Sequence, residues 1–201
     1  MKIIYFAAAV EDELSEITTR QLIKKSSPRF TVTVCYRVGG SGYLKSKIDG
    51  FNNASKAMPF FVLTDLDNYA CATELKTAWL KSAAHPNFLF RVAVREVESW
   101  LLADAKGIAM FMGVSKDLIP DTPDALPNPK AKLIELAKRS SKREIREDIV
   151  PKKNSTMKIG PNYNARLGSF VNHAWNLQTA IEHSDSLKRA FNALKNFKPT
   201  S

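Results

Sequence analysis

A chain of 201 residues, 44% hydrophobic and 25% charged, has the composition of a globular protein with one sizeable domain, which argues against extensive disorder. Its two cysteines, Cys35 and Cys71, belong to no Cys/His cluster, so neither a zinc site nor a disulfide framework is expected. No apolar stretch approaches the roughly 20 residues needed to span a bilayer. We therefore expect a soluble, cytoplasmic protein without a membrane segment.

The first 112 residues alternate between strand and helix patterns. Alternating or continuous apolar runs predict strands at 2–10, 30–38, 59–65 and 88–94. Apolar residues three to four positions apart predict a helix after each strand, at 11–25, 43–54, 72–84 and 96–112. Between them, the segment Gly39 to Gly42 is predicted to be a flexible break. This order is typical of an α/β fold, a mostly parallel sheet flanked by helices.

The pattern changes after Gly113. Four prolines between residues 120 and 129 mark an extended stretch. Helical patterns then follow at 129–149, 165–182 and 185–196, separated by polar segments. We predict two parts: an α/β domain at residues 1–112 and a basic, C-terminal helical extension at residues 113–201.

Carboxylates follow two of the predicted strands directly. Asp65 and Asp67 come after the apolar run Phe60 to Leu63, and Glu11 follows the first strand. Ligands in open α/β sheets bind at the edge where parallel strands end, and alternate residues of an extended segment point the same way. Hard cations prefer oxygen ligands. The sequence therefore predicts a Mg²⁺ or Mn²⁺ site at this edge.

These acids resemble the motifs of the Toprim superfamily, which includes the catalytic domains of topoisomerases and primases and the OLD-family nucleases. In that superfamily one strand ends in Glu-Gly and a later strand ends in Asp-x-Asp. The resemblance assigns Glu11 to the first motif and Asp65 and Asp67 to the second, and it covers about residues 2–104. One position departs from the pattern, since Asp12 stands where the glycine is usual.

The resemblance implies a compact, Rossmann-like sheet whose acids bind Mg²⁺ or Mn²⁺, and a nuclease activity. Small stand-alone Toprim-like proteins are often encoded beside ATPases in prokaryotic defence loci. Similarity to them implies an ATPase as a partner of this chain.

A third acidic cluster begins where the strand at 88–94 ends. Glu96 and Glu98 can both reach the same sheet edge, and we prefer Glu98 as the further ligand. The resemblance supports this choice, because OLD-type nucleases add a glutamate for a second cation. With two cations about 4 Å apart, one activates water and the other stabilises the leaving oxygen. The alternative is that both glutamates only stabilise the N-terminus of the following helix.

The positive charge is concentrated in the second half of the chain. Residues 1–110 carry 14 bases and 11 acids, whereas residues 111–201 carry 16 and 9. The densest segment contains five cations that are candidates for phosphate contacts: Lys138, Arg139, Lys142, Arg143 and Arg146. The alternative is a solvated surface partly paired with Glu144, Glu147 and Asp148.

Three functions fit these patterns. The leading hypothesis is a metal-dependent phosphodiesterase that cleaves DNA or RNA, with Glu11, Asp65, Asp67 and Glu98 as metal ligands and catalytic residues. The second is a non-catalytic Toprim-like module that binds nucleic acid or a partner ATPase. The third, a small-molecule phosphotransfer enzyme, is disfavoured by the basic helical half.

Overall fold

The computed structural model describes residues 2–37 and 39–200, and its described residues contain a four-stranded parallel sheet. The strands are β1 (Ile4–Ala9), β2 (Phe30–Tyr36), β3 (Phe60–Asp65) and β4 (Phe88–Ala93), in the spatial order β2-β1-β3-β4. The predicted α/β fold is therefore confirmed. Val38, the predicted end of the second strand, lies outside the described residues. Met1, where the first predicted domain begins, and Ser201, where the second one ends, also lie outside them.

Helices follow each strand and make up the C-terminal part of the chain. Their bounds are α1 (Glu13–Ser26), α2 (Gly40–Ala54), α3 (Ala72–Trp79), α4 (Glu98–Leu102), α5 (Ala105–Met112), α6 (Pro129–Lys138), α7 (Arg143–Ile149), α8 (Tyr163–His173), α9 (Leu177–His183) and α10 (Asp185–Lys195). Short 3₁₀ turns at Lys116–Leu118 and Pro123–Ala125 cross the proline-rich stretch.

The two faces of the sheet are covered by different helices. Helices α2 and α3 cover one face, where Leu44 and Leu75 pack against strand residues such as Val62. The larger cluster on the opposite face joins α1 to the C-terminal helices, and α8 and α10 pack against α1. Because apolar strands are buried on both faces, ligands have access to this sheet mainly at its ends.

The predicted helix at 96–112 is wrong in one respect, because it is two helices. Asp104 ends α4 and begins α5, since its carboxylate accepts a hydrogen bond from the Gly107 N–H at 3.0 Å. The same carboxylate accepts from the Asn176 N–H at 2.8 Å, so a contact with the C-terminal part holds the break in place.

Two further predicted helices are also divided by polar side chains. The basic helix at 129–149 breaks at Ser140, whose hydroxyl accepts from the Lys142 N–H at 2.9 Å. The helix at 165–182 breaks at Asn176, whose side chain accepts from the Thr179 N–H at 3.2 Å and begins α9.

The glycine segment at 39–42 is not a loop, because α2 begins at Gly40. Gly39, the residue before it, has φ 78°, a left-handed conformation that glycine adopts without steric cost. In the part of the chain that the structure describes, none of the helices has the length and hydrophobicity needed to cross a bilayer.

Candidate metal centre

Three carboxylates lie at the edge where the strands end. Glu11 follows β1, Asp65 ends β3, and Glu98 begins α4 just after β4. Because β1, β3 and β4 are adjacent and parallel, their carboxyl ends lie side by side. The residues predicted from separate strands are therefore neighbours along one edge.

Glu11 is tied directly to β3. Its Oε1 accepts a hydrogen bond from the Asp65 N–H at 2.9 Å and a second, short one from the Thr64 hydroxyl. Burial raises the pKa of Glu11, although these two hydrogen bonds act in the opposite direction. This arrangement fixes the carboxylate against the end of the central strand.

Asp65 is held by the segment that follows β4. Its Oδ1 accepts from the Val97 N–H at 2.9 Å. Burial raises the pKa of Asp65 well above its ordinary value, and the negative charges of Glu98 and Glu11 raise it further. Mutual repulsion among these carboxylates is a property of sites that bind a cation or a proton.

Glu98 is the most deeply buried of the three, with 1% of its side chain exposed. Its Oε1 accepts from the Tyr163 hydroxyl at 3.0 Å and lies 3.4 Å from the Lys130 Nζ. Its Oε2 is buried and has no hydrogen-bond partner. Burial raises the pKa of Glu98 to about 7, outweighing the attraction of Lys130.

Lys130 places a positively charged side chain beside these carboxylates. The sequence patterns did not identify it. It lies in the first turn of α6, where its backbone N–H donates to Glu96 Oε2 at 2.8 Å. Burial lowers the pKa of Lys130, but Glu98, Glu96 and Asp65 together raise it above its ordinary value. A lysine in the first turn of a helix opposes the helix dipole, and no spacing in the sequence connects Lys130 with Glu98.

Asp67 is exposed, and its negative charge is close enough to contribute to the raised pKa of Glu11. Its backbone has φ 47°, a conformation that aspartate and asparagine tolerate better than most residues. The Arg95 guanidinium donates to the Asp67 carbonyl at 2.9 Å and to the Tyr69 carbonyl at 2.8 Å, which fixes this turn. Asp67 therefore stands at the rim of the edge, with its carboxylate open to solvent.

The chemistry of these residues fits a hard divalent cation. Carboxylate oxygens are its preferred ligands, and the unpartnered Oε2 of Glu98 is an oxygen that a cation would satisfy. In the positions given for residues 2–37 and 39–200, no three His, Cys, Asp or Glu side chains are grouped closely enough to hold a metal. Glu11, Asp65 and Glu98 would hold it after side-chain adjustment, with Asp67 at the rim.

The five predicted phosphate-binding residues occupy the end of α6 and the start of α7. Two of them serve the fold: Lys142 Nζ donates to the Met110 carbonyl at 3.0 Å and the Phe111 carbonyl at 2.8 Å, and Arg146 donates to the Ser140 carbonyl. These contacts satisfy carbonyls at the end of α5 and at the break between α6 and α7.

The remaining three basic residues are exposed. Arg139 pairs with Glu135 at 2.9 Å and Arg143 pairs with Glu147 at 2.7 Å, whereas Lys138 has no ion-pair partner in the described part of the chain. Exposed pairs of this kind contribute little and exchange easily for another anion. Lys138, Arg139 and Arg143 are therefore the residues of this segment that are open to a ligand.

We expect the stability of the metal-free protein to depend on Glu98 between about pH 4.5 and 7. An acid whose pKa is raised by folding, here from 4.5 to about 7, destabilises the folded state progressively across that window and by a constant amount above it. The penalty is about 3 kcal/mol. Glu98→Gln should flatten the decline of the unfolding free energy with rising pH, as measured by urea denaturation.

The exposed Glu182→Gln is the matched control and should leave the pH profile of the unfolding free energy unchanged. Superimposable profiles for wild type and Glu98→Gln would show that Glu98 carries no raised pKa.

Comparison with a solved structure bears on the fold. The chain is similar to the C-terminal region of the Burkholderia pseudomallei OLD protein, with a TM-score of 0.52 and 14% sequence identity. The similarity covers 95% of this chain and 97% of that one, so it includes the C-terminal helices as well as the sheet. The fold is therefore like that of the OLD protein region, as the Toprim resemblance implied.

Comparisons of sequence bear on the family. No curated protein matches the chain. The profile of the family described as "Domain of unknown function (DUF4276)" matches residues 7–193, which include Glu11, Asp65, Glu98, Lys130 and Tyr163. The match spans most of the sequence, and the chain therefore belongs to the DUF4276 family.

Proposed function

We propose that this protein is a metal-dependent phosphodiesterase that cleaves DNA or RNA. The observation that supports the proposal most strongly is the carboxylate edge, where buried Glu98 and part-buried Glu11 and Asp65 lie at the ends of adjacent parallel strands. Burial, and repulsion from neighbouring carboxylates, raise the pKa values of these acids, a cost that a bound cation would relieve. Similarity of fold to an OLD protein region agrees with this proposal.

Mg²⁺ or Mn²⁺ would supply Lewis-acid activation of water and stabilisation of the developing phosphorane charge. Glu11, Asp65, Asp67 and Glu98 would be its ligands. The Tyr163 hydroxyl orients Glu98, and the Asp65 N–H orients Glu11. These hydrogen bonds hold the two carboxylates at the edge, and binding a cation would still require side-chain adjustment.

Lys130 contributes a fixed positive charge beside the ligands. Its side chain is 31% exposed, and its ammonium lies 3.4 Å from Glu98 Oε1. A phosphate entering this edge would meet that ammonium group as well as the cation. Lys130 is therefore a positioning residue for an anionic substrate in our proposal.

A nucleic-acid substrate is favoured by the course of α6. Lys130, in the first turn of this helix, lies beside the carboxylates, and the helix ends at Lys138, about 12 Å further along at 1.5 Å per residue. A phosphate backbone, which carries a charge at every nucleotide, would extend from the carboxylate edge to the exposed residues Lys138, Arg139 and Arg143.

We expect the double variant Lys138→Ala/Arg143→Ala to weaken nucleic-acid binding and to reduce its salt dependence. Removing one phosphate contact lowers the slope of log K against log salt by about 0.9 for duplex DNA. Fluorescence anisotropy at several salt concentrations measures this slope. The matched control is Lys45→Ala/Lys47→Ala, which removes two exposed charges from α2 on the other face of the sheet. Equal slopes for the two double variants would remove this segment from the substrate path.

A second candidate function is a non-catalytic module that binds nucleic acid or a partner ATPase. One observation favours it: Lys130 already places a positive charge 3.4 Å from Glu98, so the chain itself partly neutralises its carboxylates. The departure at Asp12 from the Toprim pattern acts in the same direction.

Metal titration and cleavage assays separate the two functions. We expect Mn²⁺ and Mg²⁺ to raise the melting temperature of the protein. In assays with single- and double-stranded DNA and RNA, we expect the protein to cleave at least one of these substrates and a chelator to abolish the cleavage. Crystals soaked in Mn²⁺ should show anomalous scattering beside Glu11, Asp65 and Glu98. Metal binding without cleavage of any substrate would favour the non-catalytic module, and absence of binding would overturn the metal site.

A further inference from the structure

A second concave site lies beside β4, the edge strand of the sheet. The cavity has a volume of about 480 Å³ and is bounded by α3 on one side and by the start of α10 on the other. Leu66, Val92 and Val94 form part of its apolar wall. Its volume lies within the range of small-molecule sites, about 300–1,000 Å³.

Three cations from three different elements line this cavity: Lys76 from α3, Arg91 from β4 and Arg189 from α10. None of them forms an ion pair with a carboxylate among the residues for which the structure gives positions. The Arg91 Nε is buried and has no hydrogen-bond partner. Buried polar groups are normally paired, so an unsatisfied guanidinium N–H at a cavity wall indicates a missing acceptor.

The three charges also act on one another. Burial, together with the positive charges of Arg91 and Arg189, lowers the pKa of Lys76 to about 8. Arrangements of like charges around a cavity are costly to the fold alone and are typical of functional sites.

Two aspartates also line the cavity and offset part of this charge. Asp124 serves the start of α10, because it accepts from the Ser184 hydroxyl at 2.8 Å and the Ser186 N–H at 3.1 Å. Asp185 is exposed at the first residue of α10. The cavity therefore keeps an excess of positive charge around the Arg91 side chain.

We propose that this cavity binds a phosphate ester, with Arg91, Arg189 and Lys76 contacting the phosphate and the apolar wall contacting the organic group. Guanidinium groups match the geometry of phosphate oxygens, and three cations suit a dianion. The phosphate would belong to a small phosphorylated molecule or to the end of a nucleic-acid strand. The lining of the cavity includes none of Glu11, Asp65, Asp67 and Glu98, so its test requires neither metal binding nor cleavage at the carboxylate edge.

The test is calorimetric titration of the full chain with pyrophosphate in chelator at low ionic strength. We expect wild type to bind, and Arg189→Ala and Arg91→Gln to lose about tenfold or more in affinity, as charge-assisted hydrogen bonds require. The matched control is Lys188→Ala, which removes an exposed charge from the neighbouring position of α10 and should leave the affinity unchanged.

Arg189 is exposed at the mouth of the cavity, so its variant tests the proposal even if Arg91→Gln fails to fold. Absence of binding by wild type, or equal losses in Arg189→Ala and Lys188→Ala, would overturn the proposal. Adenosine 5′-monophosphate and paired oligonucleotides with 5′-phosphate or 5′-hydroxyl ends then identify the source. The end of a nucleic-acid strand is supported as the ligand if wild type binds the 5′-phosphorylated oligonucleotide more tightly than the 5′-hydroxyl one and Arg189→Ala does not. A small phosphorylated molecule is supported if only the affinity for adenosine 5′-monophosphate depends on Arg189.

Discussion

Asp65→Asn is expected to lower metal-dependent cleavage by at least about 100-fold while raising the melting temperature of the metal-free protein. Asparagine keeps an oxygen that can accept the hydrogen bond from the Val97 N–H, so the end of β3 retains its anchor. The substitution removes a part-buried carboxyl group whose pKa is raised by desolvation and by the negative charges of Glu98 and Glu11. Loss of its charge relieves repulsion in the metal-free state and weakens cation binding in the loaded state.

The measurements are initial cleavage rates with Mn²⁺ and thermal melting with and without Mn²⁺. Together, the cleavage rate and the melting temperature show whether Asp65 is a metal ligand or has only a structural role. A structural defect would lower both the cleavage rate and the melting temperature. Asp117→Asn, at an exposed position of the 3₁₀ turn after α5, is the matched control. Cleavage that persists in Asp65→Asn would have to come from another centre or a contaminant.

Asp67→Asn provides a second test at the rim. Asparagine tolerates the left-handed backbone that Asp67 adopts, and the contacts from Arg95 involve only the backbone carbonyl. We therefore expect cleavage to fall with little change in melting temperature. Unchanged cleavage would remove Asp67 from the ligand set and leave Glu11, Asp65 and Glu98.

The carboxylate edge could be predicted from sequence because its determinants are local. A continuous apolar run identifies a buried parallel strand, and the first acid after it must lie at the carboxyl edge. This reasoning predicted that Glu11 and Asp65, more than 50 residues apart in the sequence, lie close together. In the structure the Asp65 N–H donates a hydrogen bond to the Glu11 carboxylate. After β4 the first acid is Glu96, so this reasoning left two candidates, and the preference for Glu98, the buried one of the two, drew on the Toprim resemblance.

The partners of these acids could not be predicted in the same way. Tyr163 reaches Glu98 from a helix 65 residues away, and Lys130 reaches it from the start of α6. Such contacts depend on how the C-terminal helices pack, which hydrophobic periodicity does not specify. The helix breaks at Asp104 and Ser140 had a readable sign, since aspartate and serine favour helix ends over helix interiors.

The division of the chain at residues 112 and 113 stays a prediction about its organisation, and Trp100 offers the means to test how the two parts are coupled. Trp100 is completely buried in α4. Its Nε1–H donates to the Ser186 hydroxyl at 2.7 Å, and its carbonyl accepts from the Trp175 Nε1–H at 3.2 Å. Both partners belong to the C-terminal part of the chain.

Trp100→Ala is expected to lower the free energy of unfolding by about 3–5 kcal/mol, the cost of a large cavity in a packed core. Trp100→Phe keeps most of the volume and removes the hydrogen bond to Ser186, so it should cost less, about 1–2 kcal/mol. Met110→Ala, at a position 68% exposed in α5, should change stability by less than about 0.5 kcal/mol. Urea unfolding followed by far-ultraviolet circular dichroism gives these values.

The same curves, compared with tryptophan fluorescence, show whether the two parts unfold together. Since Trp100 bonds across the predicted boundary and lies in a buried cluster that includes residues from both parts, we expect coincident transitions by the two probes in wild type. Separate transitions, with only the earlier one shifted by Trp100→Ala, would mean that the helical part folds independently. Glu98 would then depend for its Tyr163 and Lys130 contacts on a docking step, and cleavage would be lost before the sheet unfolds.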